Sequence, residues 1–425
     1  MTGDVPTREA VASHQLAQLR RLLAAILPDN AFYRDKLAGI DPAIASLEDF
    51  SNRFPFTTKQ ELADNQGRNP PFGTNLTFPL TRYTRYHQTS GTTSTPLRWL
   101  DTPESWNWMM ENWKKIFQAA GLKIEDRVYF AFSFGPFIGF WLAFDAAQQE
   151  GCLCIPGGGL STSGRLRAIA ENGVTTLCCT PSYAAHLAET AARDNFDLTA
   201  TAVRLIIVAG EPGGSVPATR RRLEELWPGA RIFDHHGMTE TGPVSHECPS
   251  HPGTLHILDS AYFAEVVDAQ GKPARTGEVG ELVLTVLGRS GSPLLRYRTG
   301  DLARAGSLCA CGEPGTALPG GLLGRTDEMV VVRGVNVFPT AVEDVLRGFS
   351  EIAEYQVEVN RSRALVEISL FVEPLGNCPP TAAETLTARV QNALHGAFNL
   401  RFPVALAPSG SLPRFEMKAK RWKYV

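Results

Sequence analysis

Beyond Val128 the chain alternates between short apolar runs and amphipathic stretches. Apolar runs at 128–132, 152–155, 174–179, 203–209 and 231–234 are each followed by a loop, and most of these loops lead into helical periodicity, at 164–172, 181–194 and 217–226. This βαβα rhythm predicts a mostly parallel sheet with helices on both faces. Ahead of it, residues 9–40 read as amphipathic helix, and Thr58 to Glu61 forms a capping box that opens another. After residue 255 the pattern changes to strands and turns, at 262–268, 280–287 and 296–298. A glycine-rich junction, Gly320-Gly321-Leu322-Leu323-Gly324-Arg325-Thr326-Asp327, then precedes a segment with its own core. That segment reads strand 329–332, helix 340–349, strands 354–359 and 364–372, helix 381–397 and strand 403–406. The predicted fold class is therefore α/β. A large N-terminal domain, residues 1–324, carries the mostly parallel, helix-covered sheet and a β-rich subdomain; a small α+β domain, residues 325–425, follows a flexible junction.

Composition changes this picture little. The 425 residues are 43% hydrophobic and 20% charged, as in an ordinary soluble globular protein. A net charge of −3 gives no global field to attract nucleic acid or an anionic membrane. The first residues show no basic segment followed by an apolar core, so no secretory signal is expected. The longest uncharged stretch, Val128 to Phe144, is interrupted by Gly135-Pro136 and reads as strand, loop and helix start. A cytoplasmic protein, monomeric or homodimeric, is expected. The eight cysteines do not form a dense disulfide framework.

In a parallel sheet, ligands bind outside the carboxyl ends of the strands. The segments there are Ser133-Phe134-Gly135, Pro156-Gly157-Gly158, Gly210-Glu211-Pro212 and His235-His236-Gly237-Met238-Thr239-Glu240. Beside them belongs the run Thr89-Ser90-Gly91-Thr92-Thr93-Ser94-Thr95-Pro96, whose hydroxyls and backbone N–H groups can donate to phosphate oxygens. Ser/Thr/Gly clusters are also common linkers. The run lacks the lysine of the common nucleoside-triphosphatase loop.

Four separated segments decide between these readings. Thr89-Ser90-Gly91-Thr92-Thr93 resembles the phosphate loop of the adenylate-forming enzymes, the family of acyl-CoA synthetases, peptide-synthetase adenylation domains and luciferases. His236-Gly237-Met238-Thr239-Glu240 resembles their aromatic-Gly-x-Thr-Glu motif, Tyr297-Arg298-Thr299-Gly300-Asp301 their Tyr-Arg-Thr-Gly-Asp motif, and Gly324-Arg325-Thr326-Asp327 with Arg333-Gly334 their hinge and the loop after it. Pro55-Phe56-Thr57-Thr58-Lys59, Gly210-Glu211-Pro212 and Arg333-Gly334-Val335-Asn336-Val337-Phe338-Pro339 resemble the phenylacetate–CoA ligase-like branch.

The resemblance implies a mobile C-terminal domain and a two-step reaction. A carboxylate attacks the α-phosphate of ATP to give acyl-AMP, and a thiol then displaces AMP. It implies that Ser90, Gly91, Thr92 and Thr93 hold the departing phosphates, that Glu240 binds Mg²⁺ and that Thr239 contacts the α-phosphate. Gly210, Glu211, Pro212, His235, His236, Gly237 and Met238 would line the adenine site, and Asp301 would accept from the ribose hydroxyls. Arg325 would contact ribose or phosphate, Asp327 would be the pivot, and Arg333 and Gly334 would line the thiol channel. The catalytic lysine aligns with Lys418, where Met417 replaces the family's usual glycine. Ser94-Thr95-Pro96 stands where the family typically carries Gly-Lys-Pro, so one positive charge is missing near pyrophosphate.

Two further expectations concern the cysteines and the acid. Cys248, His256, Cys309 and Cys311, with His251 as the alternative imidazole, suit a closed tetrahedral zinc site of structural type. Phe132, Phe134, Gly135, Phe137, Phe140 and Ala209 are expected to line a pocket for a flat aromatic acid. The implied product is an aryl-CoA made from ATP and coenzyme A. The alternatives are transfer to a carrier-protein thiol or an amine, or a nucleotide-binding relative without catalysis.

Overall fold

A computed structural model describes residues 7–89, 96–306, 308–332, 335–360, 366–376, 380–415 and 419–425, without the side chains of 140 and 380–384. Five parallel strands form the central sheet in the order 153–156, 127–130, 176–179, 205–208, 231–234. The apolar runs overshoot these strands because Ala131, Val174, Val203 and Ala209 are buried just beyond the strand ends. Along strand 205–208, Leu205 and Ile207 face the core packed by helices 103–120 and 139–149, and Ile206 and Val208 face the core under helices 162–171 and 181–193. With both faces covered, each strand reads as an unbroken apolar run. Each such Leu or Ile contributes about 1.5–3 kcal/mol by leaving water.

Helix starts follow local chemistry. Thr102, Ser161 and Thr180 accept N-cap hydrogen bonds, with Pro103 and Pro181 just inside two of these helices. The Thr58–Glu61 capping box is formed in both directions, at 3.2 and 2.7 Å. One expectation is corrected. Residues 9–40 are two helices, Arg8–Ile26 and Ala31–Lys36. Pro28 has no N–H with which to continue the first, and Asn30 caps the second by accepting from the Tyr33 N–H at 3.1 Å.

A four-stranded antiparallel sheet follows, in the order 262–267, 279–286, 297–304, 322–325. Its third strand runs well past the predicted 296–298, because Gly300 (φ 76°) carries the ladder through a conformation that L side chains rarely adopt. A Cβ there would also meet the Arg325 guanidinium at 2.7 Å. Asp301 pairs with Arg325 across this ladder, so the first residue of the expected C-terminal unit is hydrogen-bonded into the preceding sheet.

The C-terminal segment builds its own core from Val357, Leu370, Leu386, Val390 and Leu394. Its sheet runs 404–406, 367–374, 352–360, 422–424. The last strand, absent from the sequence reading, pairs in parallel with the long strand, Val357 opposite Trp422. No described helix is long and apolar enough to cross a membrane.

Candidate active site

Because the five strands are parallel, the segments after 130, 156, 179, 208 and 234 all emerge at one edge. The strand pair 85–88 and 98–101 sits beside that edge: the Gln88 N–H donates to the Pro136 carbonyl at 2.7 Å. Thr89 and Leu97 close on each other, with Thr89 N–H to Leu97 O at 2.9 Å and Leu97 N–H to Thr89 Oγ1 at 3.0 Å. Ser90, Gly91, Thr92 and Thr93 lie between them, outside the described residues, as do Arg333, Gly334, Met417 and Lys418.

The two histidines after strand 231–234 point in different directions. His236 Nε2 lies 3.2 Å from Asp301 Oδ2. His235 packs on Trp113 with ring centroids 4.3 Å apart, and burial, helped by neighbouring His236, pulls its pKa down to about 3. His235 is thus a neutral side chain seated against the Trp113 ring. The other oxygen of Asp301 is held by Arg325 Nη1 at 3.1 Å, whose Nε also reaches Asp327 Oδ1 at 3.0 Å. Asp301, Arg325, Asp327 and His236 therefore form one chain of contacts.

Glu240 is nearly buried, with 7% of its side chain exposed. The Tyr297 hydroxyl donates to it at 3.4 Å, and burial followed by the Glu240 and Asp301 carboxylates holds that phenol protonated, well above its ordinary pKa. Lys59 Nζ stands 3.5 Å from Glu240 Oε1. The sequence marked Lys59 only as part of a branch signature; its charge at Glu240 is visible only once the helix at 59–68 is folded against strand 297–304.

A second unforeseen feature lies beneath the same turn. Arg289 and Asp101 are both fully buried and form a bidentate pair at 2.7 and 2.6 Å. Arg289 Nη1 also donates to the carbonyls of Thr239 and Glu240, each at 2.8 Å. One cation thereby fixes the Thr-Glu turn to the strand that follows the hydroxyl loop. Nothing in the sequence marks Arg289, which sits in an ordinary Gly-Arg-Ser turn.

At the aromatic end, Phe132 and Phe134 lie 5.0 Å apart and are partly buried. Trp141 meets Phe134 edge-on at 4.7 Å and donates to the Gly135 carbonyl at 2.9 Å. A Cβ added at Gly135 would meet the Phe137 ring at 3.6 Å, Ala209 is buried, and the Phe140 side chain is outside the described residues. Trp141 was absent from the sequence-based list because it reads as helix interior.

The side-chain donors of Cys248, His256, Cys309 and Cys311 all lie within 4.8 Å of one another. Cys248 and Cys309 sulfurs are 3.9 Å apart, and Cys311 Sγ is 3.5 Å from His256 Nε2. His251 Nδ1 also reaches both Cys248 and Cys309 at 3.7 Å. Ligands on a tetrahedral zinc, with metal–sulfur bonds of about 2.3 Å and metal–nitrogen bonds of about 2.0 Å, sit roughly 3.5–3.8 Å from one another. The donor set therefore fits that ion.

The C-terminal segment lands on helix 181–193 and its surroundings. The Ala419 N–H donates to Glu211 at 2.6 Å, Arg421 to Ser182 Oγ at 3.3 Å, and Arg414 to Glu189 at 3.2 Å. Farther out, the Ala218 N–H donates to Asp344 at 2.8 Å.

Comparison with known proteins places this geometry. Residues 86–288 match the family described as AMP-binding enzyme, and residues 334–423 match the AMP-binding enzyme C-terminal domain. A phenylacetate-coenzyme A ligase of Thermus thermophilus is 33% identical over 96% of this chain and 95% of its own length. The fold superposes on a crystal structure of 2-hydroxyisobutyryl-CoA ligase in the postadenylation state with a TM-score of 0.93, 27% identity, and coverage of 99% and 90% of the two chains. Against the same ligase in its thioesterification state the TM-score is 0.72, with 28% identity and coverage of 97% and 89%. The chain belongs to the AMP-binding, adenylate-forming enzymes, in their phenylacetate–CoA ligase-like branch.

Proposed function

We propose that this ATP-dependent, AMP-forming acid–CoA ligase activates an aromatic carboxylic acid, of benzoate or arylacetate type, and transfers the acyl group to coenzyme A. The observation that carries the aromatic reading is the wall of Phe132, Phe134 and Trp141 beside the strand ends. The tilted Phe132–Phe134 pair and the edge-on Phe134–Trp141 contact fix these rings against one another as a rigid apolar wall, which favours a flat ring over a flexible chain. Likeness to phenylacetate-coenzyme A ligases supports the same class.

The chemistry requires two anions, the acid and the α-phosphate, to be brought together in one orientation. In this reading Ser90, Thr92 and Thr93 take the departing phosphates and Thr239 the α-phosphate. Glu240 would hold Mg²⁺ together with phosphate oxygens; a nearly buried single carboxylate suits an ion that is bound through one or two carboxylates and the substrate's own phosphates. The metal would neutralise phosphate charge. Asp301, already oriented by His236 and Arg325, accepts from the ribose hydroxyls. Lys418 supplies the charge for the first step, and Asp327 is the pivot for domain rotation. Arg333 and Gly334 line the thiol channel afterwards.

Lys59 adds a cation that offsets the missing phosphate-loop lysine. Replacing it by methionine is expected to slow acid-dependent ATP–pyrophosphate exchange about tenfold, the range for one charge-assisted contact, with Lys59→Arg recovering most of it. A methionine variant with full exchange activity would remove Lys59 from this role.

The test of the whole reading is pyrophosphate release over a panel of aromatic and aliphatic acids, with and without coenzyme A. Release with aromatic acids, accompanied by coenzyme A consumption, is expected. Release without consumption would assign the acceptor to a carrier thiol or amine, and no release with any acid would leave a nucleotide-binding protein.

Zinc in the Cys248, His256, Cys309, Cys311 cluster would be structural, joining strand 254–257 to the 309–319 segment that pairs beside it. About one zinc per chain is expected by elemental analysis. Cys309→Ser is expected to lower the unfolding midpoint and to release the metal, while the acid specificity stays the same. A protein purified without zinc and unaffected by a chelator would refute the site.

A further inference from the structure

Glu211 belongs to the Gly-Glu-Pro segment expected to wall the adenine site, yet its carboxylate is engaged elsewhere. Oε1 accepts from the Ser182 N–H at 2.9 Å and Oε2 from the Ala419 N–H at 2.6 Å. Ser182 opens helix 181–193, whereas Ala419 is the residue directly after Lys418. The carboxylate therefore joins the strand-end loop, the start of a helix and the C-terminal segment through main-chain donors alone.

Two more contacts flank this bridge. Arg421, enclosed by Glu354 at 2.7 and 3.0 Å, reaches Ser182 Oγ at 3.3 Å. Arg414, bound to Glu373 at 2.6 Å, reaches Glu189 at 3.2 Å. Both arginines are anchored by carboxylates of their own domain, so they position the segment. Glu211 is the carboxylate of the sheet edge that receives its backbone.

We propose that Glu211 is a positioning residue for the first half-reaction. It ties the backbone next to Lys418 to the nucleotide crevice when the C-terminal domain is docked as seen here. The tether has a specific use in this chain. The family's glycine before the lysine is Met417, and the hydroxyl loop has no lysine of its own. Fixing the lysine of the C-terminal segment by its neighbour's backbone limits where its ammonium group can reach. When the domain rotates for thioester formation, Ala419 leaves Glu211, so the tether acts in adenylation only. The inference rests on the reading of Lys418 given above.

Three full-length variants test it: Glu211→Ala, Glu211→Gln and Lys418→Ala. Hydrogen exchange of the peptide containing Ala419, without substrates, reads the tether directly. Exchange about tenfold faster is expected in Glu211→Ala, with Glu211→Gln intermediate because its amide oxygen still accepts one bond. ATP–pyrophosphate exchange should lose about 10- to 100-fold in kcat with little change in the KM for ATP, the range for a hydrogen bond to a charged group. Thioester formation from preformed acyl-adenylate, measured at saturating adenylate, should lose far less than adenylation does. Unaltered protection at Ala419, a defect confined to the KM for ATP, or equal loss of both half-reactions would overturn the proposal and leave Glu211 as adenine-site wall. Full exchange activity in Lys418→Ala would sink the lysine reading and, with it, the catalytic purpose of the tether, whereas the Ala419 protection reports on the tether by itself.

Discussion

Lys418→Ala is expected to cut acid-dependent ATP–pyrophosphate exchange by about two to three orders of magnitude, the effect of removing one preorganised transition-state donor. Thioester formation from preformed acyl-adenylate should persist at close to the normal rate. The asymmetry follows from charge. In the first step a carboxylate meets a triphosphate, and every nearby cation lowers that repulsion. In the second, a neutral or thiolate sulfur attacks a mixed anhydride from which AMP departs. The side of the crevice formed by residues 55–325 supplies Lys59 beside Glu240, and Arg325, which is already shared between Asp301 and Asp327. A lysine brought by the C-terminal segment is therefore not redundant. Rapid-quench measurement of each half-reaction checks this, and equal loss of both would show that Lys418 holds the fold of its segment instead.

Arg289→Met is expected to lower stability by about 3–5 kcal/mol, because it leaves the Asp101 carboxylate buried and unpaired. Both side chains are fully enclosed, and the guanidinium also stacks over Trp99 at 5.2 Å. Chemical denaturation measures the loss. The double variant Arg289→Met/Asp101→Leu separates two roles of the pair. Removing both charges together should restore much of the stability, since a well-packed apolar replacement of a buried ion pair is often neutral. Activity should not return, because the Thr239 and Glu240 carbonyls lose their donor and the turn that carries Glu240 is no longer held. A double variant that regained full activity would show the turn to be self-supporting.

The sheet was legible because strands buried on both faces leave unbroken apolar runs, and the helix at 59–68 because the Thr58–Glu61 capping box announces it chemically. The motifs that carry the family resemblance were legible as sequence words. What sequence could not provide was long-range juxtaposition. Lys59 meets Glu240, Arg289 meets Asp101 and Ala419 meets Glu211 across 181, 188 and 208 positions of chain. None of these pairs leaves a local pattern. The helix expected over 9–40 failed for the opposite reason: its apolar spacing persists across Pro28, but the backbone hydrogen bonds cannot. His235 and His236 looked equivalent in sequence, yet adjacent residues leaving a strand face opposite ways, one to Trp113 and one to Asp301.

The ladder pairing of Asp301 with Arg325 sets rules for recombination. A chimera that takes its C-terminal half from a relative inherits a seam, and strand 322–325 shows where that seam can run. Crossing over before Leu322 makes residues 301–303 pair with an edge strand taken from the other parent. It also takes Arg325, which holds Asp301 at 3.1 Å, from a different parent than its aspartate. Crossing over after Thr326 keeps the native pairing of 301–303 with 322–325 and exchanges only the residues beyond it. The contacts that such an exchange must still match are Glu211 with Ala419, Glu189 with Arg414 and Ala218 with Asp344.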